Sequence, residues 1–149
     1  MVRPSKHNVA YFPHDTVPCS KLQAVEIKYQ ASGYVVFYKL LERLGRATYH
    51  FLVLDEDELM IFATECYLDS DRLMEILGFF AKLNLIHKEL FHDHGVLFSE
   101  YFLRTFATAY EKRKTECVDL DTLCSILNIS GLQTYYALHG IERILKKTS

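Results

Sequence analysis

The stretch from Asp69 to Ser99 admits few local structures, and the rest of the chain has to be arranged around it. Asp69 or Ser70 offers a short side-chain oxygen to the free backbone N–H groups of a helix start. Leu73, Ile76, Leu77, Phe80 and Leu83 then recur at helical spacing and make one apolar face. After Asn84 come Leu85-Ile86-His87, a polar run from Lys88 to Gly95, and Val96-Leu97-Phe98. A helix followed by two short strands around a loop is the outline of a winged helix, and it predicts a binding module.

The flanking sequence supplies the other elements. Residues Met1 to Ala10 are polar and are expected to be mobile, with Tyr11 and Phe12 anchoring the arm that follows. A first helix is expected over Ser20–Gln30 and a second over Tyr34–Leu44. Ala31-Ser32-Gly33 breaks them, because glycine tolerates the backbone angles of a helix end. Thr48 to Leu52 is β-branched and aromatic and reads as a short strand able to pair with the wing strands. The acids Asp55 to Glu58 read as caps and dipole complements of a helix ending near Cys66. Ser99 caps a further helix that closes on Lys112-Arg113-Lys114. Asp119 or Asp121 opens a short helix through Leu127, and a last helix is expected over Leu132–Lys147. The expected fold is mostly α with a small antiparallel β-sheet: a winged helix-turn-helix over residues 1–114, followed by a C-terminal helical pair over residues 115–149.

Composition narrows the class. A chain of 149 residues with half of them hydrophobic can bury a core without staples. Its net charge of −2 argues against a broadly basic nucleic-acid coat, though not against local patches. No signal peptide is expected, no apolar run is long enough to span a membrane, and the four cysteines lack paired short spacings. A cytoplasmic protein with reduced thiols and no membrane partner is expected. There is no phosphate-cradling glycine loop, nucleophile elbow or zinc-protease helix, so no enzyme and no cofactor is expected. His87, His92 and His94 cluster without a third ligand at convincing spacing, so no metal site is expected either.

Several separated motifs fall in one order: Arg3-Pro4; Tyr11 to Asp15; Gly33-Tyr34 leading into Lys39 to Glu42 and Gly45; Lys88 to Phe91; Val96 to Ser99; and Tyr110 to Lys114. Together they resemble the Lin-like N-terminal domain family of bacterial and phage proteins. That family is similar to the N-terminal winged-helix domain of DnaD-type replisome organisers. The resemblance covers roughly residues 1–114. It implies a winged helix and a role in phage or plasmid DNA replication. The chain departs from it in carrying Phe37 where many relatives have Trp.

Two sets of residues are candidates for DNA contact. Arg72 and Lys82 lie with Glu75 and Phe79 on the solvent face of the Asp69 helix, the face that would enter a major groove. Arg3 and Lys6 on the arm, with Lys112, Arg113 and Lys114 at a helix end, could contact phosphates; the helix dipole alone also favours cations at that end, by about 0.3–1 kcal/mol. Phe79, Tyr135, Tyr136 and Ile141 are candidates for a partner or self-association face. The tail from Leu123 to Ser130 resembles the start of a second helix-turn-helix, or else a packing extension. The leading expectation is a DNA-binding, replisome-organiser-like phage protein, with replication proteins and a second copy of itself as possible partners. Its alternatives are a protein–protein adaptor and a small transcriptional regulator.

Overall fold

A computed structural model describes residues 6–127. Arg3, Tyr135, Tyr136, Ile141 and the expected Leu132–Lys147 helix lie outside the described residues. The described chain is mostly helical with a small two-stranded antiparallel sheet. In order it comprises α1 (Ser20–Arg46), a 3-10 turn (Thr48–His50), β1 (Phe51–Val53), α2 (Glu56–Glu65), α3 (Ser70–Lys82), α4 (Lys88–His94), β2 (Val96–Phe98), α5 (Glu100–Arg113) and α6 (Leu120–Ile126).

Helix starts follow the capping chemistry of the sequence. Asp55, Asp69, Ser99 and Asp119 each accept a backbone N–H three residues on, at 2.7, 2.7, 2.9 and 2.7 Å. The break expected at residues 31–33 falls instead at Gln30, whose φ of 57° and ψ of −135° interrupt α1. Gly33 does not have a positive φ. Its role is the absence of a side chain, because a Cβ there would lie 2.6 Å from Val25 Cγ1 and 2.8 Å from the Val25 carbonyl oxygen.

The sheet pairs Phe51 with Phe98, Leu52 with Leu97 and Val53 with Val96. Alternation sends its side chains to two different cores. Leu52 and Leu97 face the main core with Leu40, Leu44, Phe62, Phe80 and Phe102. Phe51, Val53, Val96 and Phe98 face Leu90, Leu123 of α6 and Leu127 just past its end. The stretch from Val118 to Leu127 thus packs on the sheet.

Three expectations are corrected. Leu85-Ile86-His87 is not a strand. Leu85 and Ile86 are consecutive and both buried in the one main core, whereas consecutive strand residues would point to opposite faces. A single bond, His87 N–H to the Phe98 carbonyl at 2.8 Å, is all that ties this segment to β2. The expected polar loop is α4, capped by His87 and ended by Gly95 at φ 67°. A helix lets the adjacent Leu90 and Phe91 reach the α6-side cluster and the main core respectively. Finally, the strand expected over Thr48–Leu52 begins only at Phe51, because Tyr49 and His50 take positive φ and turn the His50 ring inward.

Candidate nucleic-acid interface

The N-terminal arm is fastened from His7 to Val9, against the expected mobility of residues up to Ala10. The Tyr49 N–H donates to the His7 carbonyl at 2.8 Å, the Val9 N–H donates to the Gly45 carbonyl at 2.7 Å, and the Asn8 side chain donates to the Arg46 carbonyl at 3.1 Å. The anchor is Val9, buried against Gly45 and Phe106, together with Phe12, which meets Phe106 edge-on. Tyr11, expected to anchor the arm, is 82% exposed. A lone valine in a polar stretch carries no periodic signal, which is why the aromatics drew the reading instead.

Arg113 ties the far end of α5 to this arm. Its Nη1 donates to the carbonyls of Asn8 at 2.6 Å and of Lys6, 107 positions away, at 3.3 Å. Its guanidinium also lies 5.3 Å from the Tyr110 ring centre. Between the arm and α5 opens a cleft of about 610 Å³. Thr105, Thr108 and Lys112 line it from one stripe of α5, and Lys6 and Tyr11 line it from the arm. Lys6 and Lys112 are exposed, and neither is in an ion pair among the described residues. The sequence pointed to Lys6, Lys112 and Arg113 separately; the fold brings them to one place. It did not point to Tyr11, Thr105 or Thr108 as lining residues, although the polar 105-108-112 stripe beside the apolar face of α5 was a legible signal.

The remaining candidates lie elsewhere. Arg72 is engaged with Glu75 at 2.8 Å and sits 4.9 Å from the Tyr29 ring centre. Phe79 is half-buried, edge-on to Tyr29, with the Lys28 ammonium 4.6 Å from its ring centre. Lys82 is exposed in the last turn of α3. Lys114 is exposed at the left-handed end of α5, with φ 55°. On the outer side of α2, Glu56, Asp57, Met60 and Ile61 are exposed, and Tyr67 in the α2–α3 turn is 86% exposed at φ 61°.

A buried polar pair backs the arm. His50 is 1% exposed, with Nδ1 at 2.7 Å from the Leu44 carbonyl and Nε2 against the Tyr110 hydroxyl. A carbonyl only accepts, so Nδ1 carries the proton and Nε2 accepts from Tyr110. Burial is the main force holding the His50 pKa below its ordinary value, Arg113 and His7 adding to it against the Leu44 carbonyl. Burial likewise pushes the Tyr110 hydroxyl up to about 12. His94 is buried and lowered in the same direction. The unfolded chain therefore binds more protons than the folded one below about pH 6.5, so stability is full above that pH and declines as pH falls through it. Urea midpoints measured from pH 8 to 5 should show this decline, and His50→Gln should make it shallower. An unchanged slope would mean that His50 titrates alike in both states.

The thiols of Cys66, Cys117 and Cys124 are raised by burial, Cys66 to about 12, so they are protonated at neutral pH. Among the described residues no group of three or more His, Cys, Asp or Glu side chains is placed to hold a metal ion, and no helix is long and apolar enough to cross a membrane.

A family model described as Lin1244/Lin1753-like, N-terminal, matches residues 11–102, more than half of the chain. The phage-related protein Lin1244/Lin1753 of Listeria innocua is 26% identical over 125 residues, which cover 83% of this chain. The matched region is 41% of that relative's length. No solved structure matches the chain.

Proposed function

The chain belongs to the Lin1244/Lin1753-like N-terminal family, and on that premise we propose a non-enzymatic, cytoplasmic DNA-binding protein of phage or mobile-element origin that acts in the initiation of DNA replication. The observation that carries DNA binding is the cleft between the arm and α5, where two cations in no ion pair among the described residues, Lys6 and Lys112, face the same space. Phosphate contact of this kind needs no base-specific geometry. The phage-related relative supports the origin. The resemblance to DnaD-type domains supports the replication role. What supports that resemblance is the order α1, β1, α2, α3 and the return of β2 to pair with β1, while the strand at Leu85–His87 and the loop that would make the wing are replaced by α4.

The test is a fluorescence-anisotropy titration with labelled DNA at several salt concentrations. Each lost phosphate contact lowers the slope of log K against log salt by about 0.7–0.9, so replacing both Lys6 and Lys112 with alanine should flatten it by roughly 1.5. An unchanged slope would remove the cleft from the DNA reading.

A second reading is favoured by one observation. The first helix of a helix-turn-helix crosses the phosphate backbone when it reads DNA, yet α2 presents Glu56 and Asp57 with exposed Met60 and Ile61. That face suits an adaptor that docks a replication protein or a second copy of the chain. No DNA binding even at low salt, together with self-association in sedimentation, would select it.

A further inference from the structure

Resting on the DNA reading, we infer that the cleft between the arm and α5 takes one strand rather than a duplex, with Tyr11 as the platform on which a base stacks. Duplex DNA is read by something convex, because its major groove, about 12 Å wide, admits a helix or a ribbon. The cleft is concave, and its volume of about 610 Å³ is that of a site enclosing part of a small ligand. The helix that would enter a groove, α3, has Arg72 already paired with Glu75 and Phe79 packed on Tyr29. The α2 acids would face the backbone beside it.

A single strand asks for different things: cations along its phosphates and an aromatic face for its bases. The cleft has both. Lys6 lines the cleft from the arm and Lys112 from α5, Thr105 and Thr108 add hydroxyls along α5, and Tyr11 rises from the arm at 82% exposure. Arg113 holds the arm that carries Tyr11 against α5 by its two carbonyl bonds, so the platform keeps its place relative to Lys112. Among the described residues, a tyrosine left in water on an anchored segment, beside two cations in no ion pair, has no packing role that explains it.

The experiment uses the full chain with a labelled thymidine oligomer of about 12 nucleotides, a length within the usual single-strand site size, and a hairpin duplex of matching length. The single strand should bind more tightly. Tyr11→Ala should weaken it about tenfold and leave both the duplex affinity and the salt slope unchanged, since no phosphate contact is lost. Tyr11→Phe keeps the ring and should bind as the parent does. Tyr11 is too exposed for either change to threaten the fold, and unaltered melting verifies this. Single-strand affinity indifferent to Tyr11→Ala, or duplex affinity falling with it, overturns the stacking inference while the phosphate contacts stand. No binding of either oligonucleotide at low salt overturns the DNA reading and this inference together.

Discussion

Gly33→Ala should destabilise the protein by about 2–3 kcal/mol, although alanine is the better helix former by about 1 kcal/mol. The reason is the interruption of α1 at Gln30, which sets residues on either side of it against each other. A methyl group on Gly33 would meet Val25 Cγ1 at 2.6 Å, the Val25 carbonyl oxygen at 2.8 Å and Tyr29 Cβ at 3.1 Å. A valine methyl can rotate away, but the carbonyl belongs to helix backbone and cannot. The two parts of α1 must then separate, and Val25, Tyr29, Val36 and Phe37 are all core residues. Urea unfolding is the measurement. A melting temperature lower by several degrees should accompany it, at roughly 2–4 °C per kcal/mol for a chain of this size. A loss below 0.5 kcal/mol, or a gain, would show that the two parts do not press together at Gly33.

Arg43→Met should cost about 2 kcal/mol. Arg43 is 8% exposed, hydrogen-bonds Glu58 at 3.1 Å and Glu65 at 3.0 Å, and lies 5.0 Å from the Phe62 ring centre. It joins the C-terminal part of α1 to α2. Breaking a fully buried pair costs about 3–5 kcal/mol, because the orphaned charge stays in the dark. Here both carboxylates reach water, so the loss is smaller, and methionine keeps the aliphatic packing. The pH behaviour gives a second readout. The hydrogen bond from Arg43 is the first cause holding the Glu65 carboxyl below its ordinary value of 4.5. Its stabilisation is present above that pH and lost as pH falls through the lowered pKa. In Arg43→Met this acid limb should flatten, while the histidine decline that begins near pH 6.5 stays. Equal loss of stability at every pH would mean that Arg43 acts through packing alone.

What was legible in the sequence was whatever depends on near neighbours. The caps at Asp55, Asp69, Ser99 and Asp119 could be read because a capping oxygen and its N–H lie three residues apart. The buried face of α3 could be read because Leu73, Ile76, Leu77 and Phe80 repeat at the helical period. A strand over Thr48–Leu52 able to pair with the wing strands was also expected; the strand that forms starts at Phe51 and pairs with Val96–Phe98 alone. The misreadings are as local in origin. The short apolar runs Leu85-Ile86 and Leu90-Phe91 have no period, so nothing near them says that each pair is buried on both sides. Cations were legible as single charges. That Lys6 and Lys112 share a cleft, that Arg113 fastens the arm, and that Arg43 reaches two acids of α2 depend on segments distant in sequence.

The sequence by itself determined the helices with a continuous apolar face, their starts, a mostly helical class with a small sheet, and the family, since these rest on spacing and residue type. Tertiary structure alone decided that α4 is a helix, that α1 bends at Gln30, that Tyr11 stands in water while Val9 is buried, and that the cations of the two chain regions meet. Each of these is settled by which distant surface covers a residue, and burial against a distant surface has no signature in the order of neighbouring residues.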